Sequence, residues 1–227
     1  MQQDKTGKRI LAMSHAQFAP SAADRWLHCG YSVKMAPFYK SVDTAASLGG
    51  TKQHAIGAMH LENGTEPNDP KMRTYTNAVR NVAVDGELFV ERKVIIVPGL
   101  CEGTLDAGVI ATDRSWGHIF DLKWGTSAVH ATDNPQEKTY AVGLLAEYPL
   151  PPSSPFTLTI VQPNGKSGWP VKDWRTDVAT ILKFKDRIHA AIDNGLSPNP
   201  KAVPGHWCYW CPVKLHCKAY LLAHGKK

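Results

Sequence analysis

The spacing of apolar residues changes character along the chain, and each change predicts an element. Residues 21–29 (SAADRWLHC) read as a short helix, with Ser21 after Pro20 as its N-cap and an end near Gly30. Two further helices are predicted over 51–61 and 71–84, separated by the breakers Asn63-Gly64 and the Pro-rich run 66–70. The period then shortens. Residues 87–97 (ELFVERKVIIV) are rich in β-branched side chains and partly alternate, which predicts a strand that Pro98-Gly99 ends. A second strand is expected over 104–111 and a third over 118–124, joined by a turn at 113–117. Asn134 and Pro135 open a helix as cap and first helical residue, and it runs to about Tyr148. The Pro-rich run 149–155 stops it, and 156–162 (FTLTIVQ) reads as a fourth strand. A long amphipathic helix is expected over 171–194, ended by Gly195, and a Cys- and Trp-rich knot follows at 206–220. This order predicts an α/β fold with a small mixed central sheet flanked by helices.

Composition narrows the class. Hydrophobic residues are 43% and charged residues 20% of 227, so a packed core is expected and a disordered chain is excluded. The length suits one domain, with a helical part over 1–86, a central part over 87–165 and a closing part over 166–227. No apolar run of about eighteen residues occurs, so no membrane span is expected. The first residues lack an apolar run followed by a small-residue cleavage site, so a reducing cytoplasm is the expected location. There, thiols stay reduced and free for metals. Lys plus Arg is 26 against 20 for Asp plus Glu, a formal charge of +6. That excess permits a polyanion partner without requiring one.

The chemistry concentrates on the second and third predicted strands. Asp121 and Lys123 are two apart on a strand and project from one face. A neighbouring strand joined by a short turn can bring Asp106 to the same face. Two adjacent carboxylates repel unless a cation lies between them. Oxygen donors with open positions suit Mg²⁺ or Mn²⁺, which can activate a water and stabilise charge on a phosphate under attack. An ordinary Asp–Lys ion pair would leave the same short pattern.

From Gly103 to Tyr140 the chain resembles the nuclease core of the PD-(D/E)xK superfamily, in particular its RecB-like branch. The residues that carry the resemblance are Gly103-Thr-Leu-Asp106, Asp121-Leu-Lys123 and Gln136-Glu-Lys-Thr-Tyr140. The resemblance implies a restriction-endonuclease-like core. Asp106, Asp121 and the Leu122 carbonyl would hold the metal, and Lys123 and Gln136 would position the nucleophile. Gln136 and Tyr140 share a helix face, and the resemblance sends Tyr140 towards DNA. Such nucleases also use an upstream histidine as a metal ligand. His54 is the candidate and His60 the alternative, and an imidazole would favour Mn²⁺ over Mg²⁺.

Three cysteines crowd the tail as Cys208-Tyr-Trp-Cys211 and Cys217, with Cys29 near the start and Cys101 between the first two strands. That spacing of soft donors binds a metal or a cluster. Zinc with His206 or His216 as fourth ligand is one solution. One early Cys followed by C-x₂-C-x₅-C after the core is also the pattern of iron–sulfur nucleases, such as the AddB recombination subunit and CRISPR-associated RecB-like exonucleases. This resemblance implies a 4Fe–4S cluster on Cys29, Cys208, Cys211 and Cys217, a clip joining the N- and C-terminal regions. Cys101 fits no ligand slot and reads as a small buried hydrophobe.

Trp124, Trp207, Tyr209 and Trp210 neighbour these sites and either stack unpaired bases or pack locally. Lys183 and Arg187 share a helix face that either follows a phosphate backbone or is simply solvated. The resemblance covers nearly the whole chain and is closest to compact, including phage-encoded, exonucleases. It implies hydrolysis of DNA, single-stranded or at ends, from 5′ to 3′, in the host cytoplasm if phage-encoded. No P-loop occurs, so unwinding would come from a helicase or recombination partner. The alternatives are a non-catalytic DNA-binding or recombination-accessory module on the same fold, and a zinc-stabilised interaction protein.

Overall fold

The structure, a computed structural model, describes residues 16–39 and 45–225. A five-stranded mixed sheet runs in the order β1 (Gly86–Val97), β2 (Cys101–Ala111), β3 (Gly117–Leu122), β4 (Pro155–Val161), β5 (Val171–Asp177). All neighbours are antiparallel except β3 and β4, which are parallel and therefore need a crossover. The helix predicted after Asn134 supplies it. Before the sheet come α1 (Ala23–His28), α2 (Gly30–Met35), α3 (Ala45–Glu62) and α4 (Pro70–Ala83). The crossover is α5 (Pro135–Glu147), and α6 (Val178–Leu196) and α7 (Lys218–Ala223) follow the sheet. Among the described residues, no helix is long and apolar enough to cross a membrane.

Helices cover both faces of the sheet. On one face Trp26, Val33, Leu144, Ile181 and Ile188 pack with Leu105, Ile119, Phe156 and Leu158. On the other, Leu61, Met72, Tyr75 and Val79 pack with Ala107, Val109, Phe120 and Leu122. Helix α5 is buried almost all round, even at Glu137, Lys138 and Thr139, which is why its apolar residues show no single stripe.

Helices α2 and α7 were not expected from the sequence, and two further elements differ from the expectation. Residues 171–177 form β5 rather than the first turns of the long helix. VKDWRTD alternates in exposure and pairs along its length with β4, from Val161↔Val171 to Pro155↔Asp177. Asp177 is the true N-cap of α6, its carboxylate accepting from the Thr180 N–H at 2.7 Å. Lys172 and Arg175 are consequently strand residues. Ser21 caps nothing: it lies inside a short 3-10 turn, Pro20–Ala22, and α1 starts without a side-chain cap.

β1 and β2 carry an irregularity that matters for the site. On β2, Leu105 packs into the first core, Ala107 and Val109 into the second, and Ile110 into the first again. Strict alternation would keep Leu105 and Ala107 on one face. On β1, Leu88 and Val90 pack against the second core, yet Val94 and Ile96 lie in the first. Both strands invert their faces at one level. Pairing passes from Val90↔Ala107 to Arg92↔Leu105, leaving Glu91 and Asp106 between. Glu91 has φ +44°, a left-handed backbone inside a strand.

Candidate metal centre

Asp106 stands where β2 inverts. Its Oδ2 accepts from the Leu122 backbone N–H at 2.7 Å, and its Oδ1 lies 2.9 Å from His54 Nδ1. One carboxylate thus joins β2, β3 and α3. His60 is elsewhere: its ring meets the Thr65 hydroxyl at 2.8 Å on the surface. Leu122 contributes its N–H to this arrangement, and its side chain is buried in the second core.

Beside this lies a second group of contacts. Asp121 is 3% exposed on β3. Its Oδ1 accepts from Gln136 Nε2 at 2.7 Å, and the Gln136 carbonyl accepts from Lys123 Nζ at 3.0 Å. Lys123 Nζ is 2.7 Å from Asp121 Oδ2, but at angles outside the hydrogen-bonding range, so that oxygen has an ion pair and no hydrogen bond. Gln136 is held in turn by the start of α5. The Asn134 side chain accepts from the backbone N–H groups of Gln136 and Glu137 at 3.0 and 3.2 Å, which fixes the first helical turn under the sheet.

The electrostatics follow from burial among like charges. Burial raises the Asp121 carboxyl to about 6, with the Asp106 charge adding to it and the Lys123 ammonium opposing. Burial alone would lower Lys123, but the charges of Asp121 and Asp106 outweigh it and hold the ammonium protonated. Burial likewise opposes a charged His54, and its contact with Asp106 raises it on balance. Lys123 is therefore a fixed positive charge at neutral pH and unsuited to act as a base.

Two residues of this centre were not anticipated from the sequence. Glu91 offers a carboxylate oxygen that lies, with ligand atoms of His54 and Asp106, in a group all within 4.8 Å of one another. Glu137 is fully buried with both oxygens unpartnered, and burial followed by the Asp121 charge pushes its carboxyl well above the ordinary range. Burial therefore disfavours its charged form. Its position next to Gln136 gave no sign of this, because a Glu in the first turn of a helix is ordinarily a solvated dipole partner.

Tyr140 is not displayed on the surface. It is 8% exposed and packs in the first core. Gly103 permits this, since a Cβ there would sit 2.9 Å from Pro20 Cδ and 3.1 Å from the Tyr140 ring. The ring edge closes one end of an open groove of about 350 Å³ lined also by Pro20, Ser21, Lys93, Glu102 and Thr104. Carboxylates, an imidazole and an amide-clamped ammonium around one point form a donor set that suits a hard or borderline divalent ion. Asp121 Oδ2, buried with an ion pair to Lys123 but no hydrogen bond, is the local sign that this set fits a cation.

Four of the five cysteines gather in a separate place. Cys29, Cys208, Cys211 and Cys217 line one small cavity with Tyr31, Val203 and Val213. All are free thiols. The Val203 N–H points to Cys29 Sγ at 3.5 Å, and Tyr31 N–H donates to the Lys201 carbonyl at 3.3 Å. Neither histidine considered for zinc lines that cavity: His206 lies 3.3 Å from Asp24, and His216 stacks on Tyr39. The donor set is four soft sulfurs, which fits an iron–sulfur cluster or a Cys₄ zinc. Cys101 lies apart in the core, and burial pushes its thiol up to about 12. Trp207 stacks on His28 at 4.1 Å and Trp124 packs against the second core, whereas Tyr209 and Trp210 are 65% and 76% exposed. Lys183 and Arg187 are exposed on α6. Lys172, on β5, is tied to the Val129 carbonyl and Gln162.

The chain belongs to the family described as "Protein of unknown function (DUF2800)", whose model matches residues 15–88 and 71–224. Among solved structures it is similar to that described as "Crystal structure of SSO0001", at 16% identity and a TM-score of 0.46, over 89% of this chain and 86% of that one.

Proposed function

We propose that the protein is a divalent-metal-dependent DNA exonuclease with a PD-(D/E)xK, RecB-like core. The observation that carries this reading is the clamp in which Gln136 holds both Asp121 and Lys123, directly beside the Asp106–His54 pair. A structural Asp–Lys pair needs neither a bridging amide nor two further acidic groups packed against it. His54, Asp106, Asp121 and the Leu122 carbonyl would hold the ion. When bound, Mg²⁺ or Mn²⁺ supplies a water of lowered pKa and withdraws charge from the scissile phosphate.

The chain's own residues do the rest. Lys123 meets the negative charge that develops on the phosphate, and its buried, permanently protonated state makes that charge count for more than it would in water. Gln136 keeps the ammonium and Asp121 in fixed relation. Burial by the core and by Glu137 keeps water from screening them. The groove of about 350 Å³ beside Tyr140 would take part of a strand, and exposed Tyr209 and Trp210 would give platforms on which single-stranded bases stack. These features favour single-stranded DNA, and degradation from 5′ to 3′ is the polarity proposed, with any unwinding left to a helicase or recombination partner.

The four-cysteine cavity is proposed to hold a 4Fe–4S cluster that clips Cys29 to the C-terminal knot. Iron and zinc analysis of anaerobically purified protein separates it from a Cys₄ zinc site. The function is tested on 5′- and 3′-labelled single- and double-stranded DNA with Mn²⁺ or Mg²⁺. Lys123→Ala should lower cleavage about 10²–10³-fold with DNA binding retained. Wild-type turnover by that variant, or no cleavage by the wild type with either ion, overturns the proposal.

A further inference from the structure

We propose that Glu91 is a metal ligand, completing with His54 and Asp106 a three-residue site for a divalent cation. This deepens the nuclease reading and rests on it only for the place of the ion.

The three residues come from α3, β1 and β2, and their ligand atoms lie within 4.8 Å of one another. Nothing in an ordinary hairpin would put Glu91 there. In a regular strand its neighbours would keep their alternation from Leu88 to Ile96. Instead the strand turns over at Glu91 through a left-handed backbone, φ +44°. Glycine, asparagine and aspartate adopt that conformation readily, and glutamate does not. Strained backbone of this kind persists where the surroundings impose it, commonly at functional sites. Here the inversion on β2 falls at Asp106, across from Glu91, so the two irregularities bring two carboxylates together.

A second observation points to a cation. Asp121, buried to 3% and with Oδ2 lacking a hydrogen bond, is near enough to Asp106 and His54 to interact with both. Glu91 is the exposed member of the group, open to solvent and to an incoming ion. Three carboxylates around one imidazole and one ammonium are relieved by a bound dication. One nitrogen and two oxygen donors, with positions left open for solvent and substrate, match Mn²⁺ better than Mg²⁺, which prefers oxygen alone.

The test reads metal binding without DNA. Mn²⁺ affinity of the full-length, anaerobically purified protein is measured by calorimetry or by the electron paramagnetic resonance of free Mn²⁺, for the wild type, Glu91→Gln and Asp106→Asn. Melting temperature is recorded without added metal. Glu91→Gln keeps the shape and removes the charge, so it should weaken Mn²⁺ binding at least tenfold while the metal-free melting temperature stays or rises. A structural role predicts the reverse, a lower melting temperature and unchanged affinity, and that result overturns the proposal. Glu91→Asp keeps a carboxylate in a residue that tolerates the backbone, and should fall between wild type and Glu91→Gln. If Glu91→Gln binds weakly but the wild type cleaves no DNA, the ligand assignment stands and the nuclease reading falls. If the wild type cleaves, Asp106→Asn does not, and Glu91→Gln binds Mn²⁺ normally, the nuclease reading stands and Glu91 is removed from the site. A wild type that binds no Mn²⁺ overturns both.

Discussion

Replacing Asp121 with asparagine should make the metal-free protein more stable, and by an amount that depends on pH. In the fold the Asp121 carboxyl rises to about 6 from 3.8, chiefly through burial. That difference is worth roughly 3 kcal/mol of ionisation free energy. The sign follows from linkage: an acid whose folded pKa lies above its unfolded one destabilises the fold when ionised. Wild-type stability is therefore unpenalised below about pH 4, falls as pH rises through 6, and carries the whole cost by about pH 8. The asparagine side chain keeps the shape and an oxygen for Gln136, but turns an amide donor near Lys123 in place of an ion pair. That loss reduces the expected gain to about 1–3 kcal/mol at pH 8. For a chain of this size each kcal/mol moves the melting temperature by about 2–4 °C. Thermal melts of both proteins in chelator at about pH 4.5 and pH 8 check this. The variant's advantage should be largest at pH 8 and shrink at pH 4.5, where wild-type Asp121 is already neutral. Saturating Mn²⁺ should restore the wild type by about 2.7 kcal/mol at a hundredfold excess over Kd, and the variant by less. An advantage equal at the two pH values, or a variant less stable than wild type at pH 8, refutes the account of a buried, cation-seeking carboxylate.

Other perturbations separate the remaining parts of the centre. Glu137→Gln keeps the shape and removes a charge that burial disfavours, so its melting temperature should match or exceed the wild type. Glu137→Ala opens a cavity beside the clamp and should cost about 2–4 kcal/mol in a urea melt. Gly103→Ala forces a methyl to within 2.9 Å of Pro20 and 3.1 Å of Tyr140, and should destabilise by about 1–3 kcal/mol and lower cleavage by displacing Tyr140. Cys29→Ser should strip the iron and visible absorption from the purified protein. Cys101→Ala should keep both, since that thiol lies in the core away from the other four.

How much of this was legible in the sequence depended on whether a signal was local. The strands β1 to β4 and helices α4 and α5 showed through period and local signals: Asn134 and Pro135 act on their own first turn, and the run 66–70, read as a breaker, holds the Asp69 cap that starts α4. β5 was hidden. Its residues VKDWRTD are polar and charged, as an edge strand with one solvated face allows, and they run straight into an amphipathic helix. Only pairing with β4, a contact remote in sequence, decides between strand and helix there. Asp106, Asp121 and Lys123 were legible because strand spacing suggests which positions meet, and Gln136 only through the family resemblance. Tyr140 was placed correctly on its helix but assigned too open a setting, since an aromatic residue's burial depends on the whole core.

Glu91 shows the same limit in a sharper form. FVERKVII reads only as part of a partly alternating strand, and nothing in it singles out Glu91, which is exposed in the fold as an acidic strand residue ordinarily is. The fold instead breaks the alternation at that residue, and at Asp106 on the facing strand, so that β1 and β2 each serve two cores in succession. A hairpin that packs helices on opposite faces at its two ends must invert somewhere, and the inversion leaves unpaired backbone and re-aimed side chains. Polar residues suit that level because an apolar side chain there would face neither core squarely. With two acidic residues at that level, a histidine from α3 and a buried Asp–Lys–Gln clamp from β3 and α5 complete the set proposed here to take a cation. The same inversion thus brings together the side chains around which the chemistry is proposed to occur. A variant that restores regular alternation through 90–92 should pair more completely, and lose metal first.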